Sequence, residues 1–530
     1  MSRSDVNLLD LPDEILLIIL KKLNNIDVLY SLLDDNNKHL YSLAQEKIFT
    51  NTLNFVSIDN ISSINQHKLD RFCIHILPKI HQNVECFIVE PTSMECILLA
   101  THYPNLTELK LFNFNQEIAL NYFISNESSL RYIFQQKITN LILVNNDERR
   151  GIGSLENYTR NVYEHILKFF KNLKHLSIIE TLNLPYPPLS ICDSPSTIFF
   201  SSTLTHLYIN VNTLDDCLYL LDGRLKQLTT LIVQISYIHK SSLIIHNMNN
   251  LPNLKCFSFK YYRPIDNYDQ KILPLLHRMT YLEKLTLYLR IKNRGTFIDN
   301  THLQNEILFY MPYLHSFTFY IGTYDDTADL FRYVPRQNIQ HIATNTGHQC
   351  VTNIVKYNSN RQAVCCIFSL PFVFDHLHDI GNIFPDVVFK YVTYLLLQDV
   401  VPFNHEFFLR IARSFPFLDH LRIINLESQS LCNINSLSSN DSQSYSIVKY
   451  PHLTTLNVRN GNIDCVEEFL NETKAFVPCL TRLIIKYNDL KIVTKNFTSE
   501  ETRRNCSTIK KLYAMDTLDL THYSHYFPSL

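Results

Sequence analysis

One spacing, apolar-x-x-apolar-x-apolar, recurs along most of the chain and constrains its fold more than any other feature. Two copies run to completion: Leu204, Leu207, Ile209, Asn212 and Leu214, then Leu480, Leu483, Ile485, Asn488 and Leu490. Shorter copies begin at Leu106, Ile138, Leu173, Leu228, Leu254, Leu282, Leu314, Ile339, Val392, Leu418 and Leu453, with weaker ones at Val84, Val364 and Ile509. From Val84 to Ile509 these make 15 steps over 425 residues, about 28 residues per step, the length of one helix-plus-strand unit. The content of a unit is legible before Leu314, where Leu303, Ile307, Tyr310 and Leu314 recur at helical intervals and mark one apolar face. The residues that follow alternate, with Phe317 and Phe319 inward and Ser316, Thr318 and Tyr320 outward on a strand. Phe407, Phe408, Ile411, Phe415, Leu418, Leu421 and Ile423 repeat the plan. A helix and a strand this short cannot bury their own apolar sides, so neighbours must stack. The expected fold class is α/β, a solenoid with a curved parallel sheet inside and helices outside.

Composition removes several function classes. Glycine numbers only 8 in 530 residues, against a usual share of about 7%. The close pair Gly151 and Gly153 would need a third glycine where Glu156 stands to make GxGxxG. Neither a Walker-type phosphate loop nor GxSxG occurs, so dinucleotide, P-loop and hydrolase-elbow chemistry lack their motifs. The 48 Lys+Arg against 50 Asp+Glu leave a net charge of -2, which gives no global field to draw in nucleic acid or anionic lipid. Thirteen cysteines without a CxxC pair, Cys365 and Cys366 being adjacent, suit buried reduced thiols. No run reaches the ~18 apolar residues of a membrane span. An intracellular protein, cytoplasmic or nuclear, with no membrane and no nucleic-acid partner, is expected.

The complete copies match LxxLxLxxNxL, and the set resembles degenerate intracellular leucine-rich repeats over roughly residues 80 to 515. The Asn position is often replaced, as by Phe114, Glu180 to Thr181, or Leu426, which argues against a continuous buried asparagine ladder. Three insertions, Pro185-Tyr186-Pro187-Pro188, Asn145 to Arg160, and Glu427 to Ser446, read as loops on the helical or rim side.

At the amino terminus, Leu11-Pro12-Asp13-Glu14-Ile15-Leu16 sets proline at a first helical position and two carboxylates in the first turn, where the helix dipole favours them. Ile15, Leu16, Ile19, Leu20 and Leu23 share a face while Leu17 and Ile18 are also apolar, so burial on more than one side is expected. Helical stretches at Ile26 to Leu33 and Lys38 to Ile48 complete a unit of about fifty residues, marginal alone. Leu8 to Leu16, with Ile19, Leu23, Val28, Leu29 and Asn37-Lys38, is similar to an F-box over roughly residues 6 to 53. Asn37-Lys38-His39-Leu40 stands where that family commonly has a Cys-Lys-Arg-Trp-like stretch, and the chain has no Trp. The resemblance implies that Leu11, Pro12, Ile15, Leu16 and Ile19 bind a Skp-type cullin adaptor, and that the repeat domain selects a protein substrate. The other reading of these helices is a cap over the first repeat's open edge. The domain plan is an F-box-like helical domain at 6–53, a connecting segment or amino-terminal cap at 54–80, a repeat solenoid at 81–515 and a tail at 516–530.

In Asp375-His376-Leu377-His378-Asp379 the two imidazoles share a face only on a strand, with no further ligand cluster. His405-Glu406 lacks the second His of HExxH because Leu409 stands there. Glu467-Glu468 reads as a solvated helical face. Catalytic, cofactor and metal sites are all expected to be none. On the open sheet face the alternation places Lys110, Ser177, Tyr208, Ser258, Thr286, Tyr288, Thr318 and Tyr320, then the basic His420, Arg422, Arg459, Arg482 and Lys486. Of these, Tyr208, Tyr288, Tyr320, His420, Arg422, Arg459, Arg482 and Lys486 are the candidate substrate contacts. Arginine forks suit carboxylate or phosphate groups of a target; the plainer alternative is a set of solvated basic residues. The expected function is a noncatalytic substrate receptor of a Skp/cullin/F-box-type ubiquitin ligase, with a repeat scaffold or inhibitor lacking any ligase link as the alternative.

Overall fold

A computed structural model describes residues 11–33, 38–56, 64–124, 128–147, 153–180, 186–192, 195, 198–238, 251–326, 337–344, 347–357, 362–426, 446–515 and 526–530. Leu8, Leu9, Asp10, Asn37, Gly151, Pro185, nearly all of Glu427 to Ser446, and 516–525 lie outside the described residues. The chain divides into two compact units, Met1–Phe259 and Lys260–Leu530. Both are α/β with mostly parallel sheets.

The first unit opens with α1 (Asp13–Leu20), α2 (Asn25–Leu32) and α3 (Lys38–Ala44). Pro12 immediately precedes α1, and its carbonyl accepts the amides of Ile15 and Leu16. The Asn24 side chain caps α2 through the Ile26 amide, satisfying a donor the helix leaves open. Leu16, Ile26, Val28, Leu29, Leu33, Leu43 and Ala44 form the buried side. Asn25 donates to the carbonyls of Ile48 and Thr52, Lys68 reaches Asp27 at 2.6 Å, and Arg71 donates to the Tyr30 carbonyl. These bonds tie the helices to β1 (Thr52–Asn54) and to the helix that begins at Gln66.

From β1 the strands pair in parallel and in sequence order: β2 (Cys86–Val89), β3 (Glu108–Phe114), β4 (Asn140–Asn145), β5 (His175–Glu180), β6 (His206–Thr213) and β7 (Thr230–Tyr237). One backbone device recurs at their starts. The Thr107 carbonyl accepts two successive amides, Thr139 and Asn140; Thr139 accepts Lys174 and His175; Lys174 accepts Thr205 and His206; Thr205 accepts Thr229 and Thr230. That fork holds the register, so Leu53, Phe87, Leu109, Leu141, Leu176, Leu207 and Leu231 stand side by side across the seven strands. All are essentially fully buried, each contributing about 1.5–3 kcal/mol by leaving water. The Pro-rich insertion is not a free loop: Tyr186 is buried, its hydroxyl donates to the Ile178 carbonyl at 2.8 Å, and Leu189 bridges Val211 in parallel. Its backbone finds partners at the edge of β6, which is why it stays close to the sheet. Asn212 of the complete repeat copy is only partly buried and Asn488 of the other is exposed.

Strand β8 (Cys256–Ile265) crosses the boundary between the units. In the second unit β9 (Lys284–Lys292) and β10 (Ser316–Asp325) are parallel and in register over nine pairs. The repeat then breaks. The copies at Ile339 and Val364 were expected to continue the parallel series, but β11 (Gln337–Thr344), β12 (Gly347–Tyr357) and β13 (Ala363–Ser369) are antiparallel, with β13 also antiparallel to β10. A parallel strand needs a crossover of a dozen or more residues, and the Thr344–Gly347 and Tyr357–Ala363 intervals are too short for one. The parallel plan resumes in a second sheet: β14 (His376–Ile380), β15 (Tyr394–Gln398), β16 (His420–Asn425), β18 (Thr455–Gly461), β20 (Arg482–Lys486) and β21 (Lys511–Met515), with β17 (Val448–Lys449) and β19 (Ala475–Phe476) forming a separate short pair. The same carbonyl fork recurs at Asp375, Thr393, Asp419, Thr454 and Thr481. Leu377, Leu395, Leu421, Leu456 and Leu483 line up behind it.

The alternation makes neighbouring positions unequal. Leu141→Ala, at a fully buried site, is expected to cost about 2–5 kcal/mol, whereas Ile142→Ala, partly exposed on the other face, should cost under half as much. Urea midpoints of the two variants of the full chain check this; equal losses would contradict the assignment of faces.

Candidate functional site

Two surfaces stand out, one in each unit. In the first, α1 turns Leu16 into the core, 2% exposed, while Ile15 at 42% and Ile19 at 40% face outward. Ile18 and Leu23 are each 54% exposed and extend the apolar patch; Pro12 is exposed and Leu11 partly so. Of the five residues assigned to the adaptor-facing side, Leu16 belongs to the helical core instead, since it is the residue of α1 that is buried. His39 Nε2 meets Asp13 Oδ1 at 2.6 Å beside the patch, without covering it. On the sheet, the parallel register places Lys110, Ile142, Ser177, Tyr208 and Ile232 in one partly exposed row. Ser258 is buried instead.

In the second unit the outward positions of four neighbouring strands carry His420, Arg422 and Ile424 on β16, Thr455, Asn457 and Arg459 on β18, Arg482, Ile484 and Lys486 on β20, and Lys511 and Tyr513 on β21. Register sets Arg422 beside Asn457 and Arg482 beside Lys511. Arg459, Lys486 and Lys511 are exposed; Arg422 and Arg482 are partly so. Among the described residues Arg422, Arg459 and Arg482 form no side-chain ion pair. His420 Nδ1 pairs with Asp419 Oδ2 at 2.7 Å, and Lys486 lies 3.9 Å from Asp489.

Tyr288 and Tyr320 were expected on the open face, and the structure corrects both: they are fully buried. The segment leading into β14 covers them, with Phe374 packed edge-on to Tyr288 and Phe372 edge-on to Tyr320. The Tyr320 hydroxyl donates to the His378 carbonyl at 2.8 Å, and the Tyr288 hydroxyl lies 2.6 Å from His378 Nδ1. Next to them sits a buried ion pair. Arg290 spans both carboxylate oxygens of Asp379 at 3.1 Å through Nε and Nη2, while Gln398 donates to the same carboxylate at 3.0 Å and the Tyr324 hydroxyl also donates to it. Asp379 adopts a left-handed φ of 59°, within the register jump between Leu377 and Ile380, and that bulge directs its carboxylate to Arg290.

Electrostatics follow from the burial. Burial, reinforced by Arg290, His376 and Arg422, drives the His378 imidazole well below its ordinary value, so it stays neutral beside the Tyr288 hydroxyl. Burial alone would lift the Asp375 carboxyl, but His376, Lys260 and the Tyr262 hydroxyl hold it well below the usual carboxylate range. Burial pushes the thiols of Cys86, Cys465 and Cys506 up to about 12, which removes them as nucleophiles. Cys365 and Cys366 are buried core residues of β13.

Glu468 also differs from expectation. It is buried, its carboxylate 2.8 Å from His405 Nδ1, on a 340 Å³ cavity lined by Phe403, Asn404, Glu406, Asp464 and Lys474. Only Glu467 is solvated, paired with Lys474 at 2.9 Å. The two helices facing each other here, His405–Ser414 and Ile463–Leu470, leave the 467 side open and close over 468. Burial raises the Glu468 carboxyl against the opposing pull of His405. His376 and His378 share a strand face as the spacing requires but take different partners, Asp375 and Tyr288. Among the described residues no helix is long and apolar enough to cross a membrane. Comparison of the sequence with known protein families and with curated proteins finds no match.

A histidine held below its free value stabilises the fold in its neutral form, above about pH 6.5, and that contribution is lost as the pH falls. Lowering the pH from about 7.5 to about 5 should therefore weaken the second unit by about 1–2 kcal/mol through His378. His378→Gln should flatten the pH dependence of the urea midpoint; an unaltered slope would show that the imidazole titrates freely.

Proposed function

We propose that the chain is a noncatalytic substrate receptor of a Skp/cullin/F-box-type ubiquitin ligase, in which α1 docks the adaptor and the open sheet face holds a protein target. The observation that carries the reading is the apolar patch of Ile15, Ile18, Ile19 and Leu23 on and just after a helix that turns Leu16 into the core. Contiguous exposed apolar surface of this kind marks an interaction site, and it falls on the Leu11-Pro12-Asp13-Glu14 opening that resembles an F-box. The repeat units support it from the other side. They stack strands into a broad face that varies from row to row while the leucine columns behind stay constant, as recognition of a macromolecule by a rigid scaffold requires. The raised thiols of Cys86 and Cys465 fit a chain that positions a target and does not react with it.

Ile15→Asp combined with Ile19→Asp is expected to weaken capture of a purified Skp-type adaptor by roughly 30-fold or more. Circular dichroism should stay at the wild-type level, since both residues are exposed. Leu16→Asp should instead unfold the helical unit. A folded double variant that captures the adaptor fully would overturn the adaptor reading and leave a repeat scaffold without a ligase link.

A further inference from the structure

We propose that the outward face of β16, β18, β20 and β21 docks an acidic segment of a partner protein, an extended peptide rich in aspartate and glutamate. The inference rests on the reading of this sheet face as the target-binding surface and names the chemistry of what it takes. Across four adjacent strands the outward positions hold His420, Arg422, Arg459, Arg482, Lys486 and Lys511, and no Asp or Glu. Like charges directly opposite one another in a sheet are destabilising, and Arg482 stands directly beside Lys511. The fold gains nothing from that pairing, while an incoming carboxylate between the two would relieve it. Among the described residues no carboxylate of the chain pairs with Arg422, Arg459 or Arg482. The chain as a whole carries a net charge of -2, so this is a local field with no counterpart in the total.

Spacing separates an acidic peptide from other anions. The strands lie about 4.8 Å apart, so the row from β16 to β21 covers about 14 Å, the reach of about four residues of extended chain. Positive groups distributed at that interval match carboxylates along a peptide. A single phosphate would instead be held by groups converging on one point. Single-stranded nucleic acid is held by successive aromatic platforms for its bases, and among these outward positions only His420 and Tyr513, on non-adjacent strands, carry aromatic rings.

The test uses the full chain and three fluorescent probes: a ten-residue peptide of alternating Glu and Asp, its Gln/Asn counterpart, and a single-stranded oligonucleotide of equal charge. Anisotropy is read at about 50 mM and about 300 mM salt, where screening differs strongly. The acidic peptide is expected to bind at the lower salt and weaken at the higher. R422Q/R459Q/R482Q should weaken it roughly tenfold or more, and K486Q/K511Q, on the same face, should act in the same direction. Absence of binding at low salt, equal binding of the Gln/Asn peptide, tighter binding of the oligonucleotide, or unchanged affinity in both variants would each overturn the proposal. Adaptor capture is measured alongside: loss of capture in the wild-type chain with retained, arginine-dependent peptide binding would sink the ligase reading and uphold the acidic-peptide site.

Discussion

The carbonyl that begins each strand and accepts two successive amides from the next is the contact on which the repeats depend. Backbone donors inside a stacked structure have no water to fall back on and must be paired. Repeating the same fork at Thr107, Thr139, Lys174 and Thr205, then at Thr393, Asp419, Thr454 and Thr481, fixes where each strand starts relative to its neighbour. A slip of one residue would turn every leucine of a strand to the wrong face. The aligned leucines are therefore a consequence of the forks as much as a cause of stability. Long crossovers, most of them helical, follow from the same geometry, since parallel strands cannot be joined by a tight turn.

Where the crossover is missing, the second unit changes character. The antiparallel run of β11, β12 and β13 follows β10, and the chain from Phe372 onward then folds over the face of β9 and β10. Closing that face traps Arg290, Asp379 and His378 away from water. A buried ion pair seldom adds net stability, because desolvating both charges offsets their attraction. Here the carboxylate has the Arg290 fork, Gln398 and Tyr324 at once, so its acceptor sites are filled. The arrangement tolerates one geometry of β14 against β9 and β10, which makes the pair a determinant of register in this unit. Farther along, on β16 to β21, no such cover exists among the described residues, and the outward residues include His420, Arg422, Arg459, Arg482, Lys486 and Lys511.

The sequence by itself determined the apolar columns, the parallel repeats of the first unit, the helix at Asp13–Leu20 and the burial of Cys365 and Cys366. Each of these is written in spacing over a few residues, and local periodicity is what backbone geometry reads. It could not separate Leu16 from Ile15, because the apolar run Ile15 to Leu20 is broader than one face and only the neighbouring helices decide which side is covered. Nor could it separate parallel from antiparallel at Ile339 and Val364, since the two-residue alternation is common to both and only the length of connecting chain differs. Tertiary structure alone decided the rest. Arg290 meets Asp379 across 89 residues and His405 meets Glu468 across 63, and no local signal announces a partner that the chain must fold to reach. Burial then set the chemistry of such groups, making Glu468 a paired interior acid and His378 a neutral imidazole, because a charge's free energy is set by the groups packed around it.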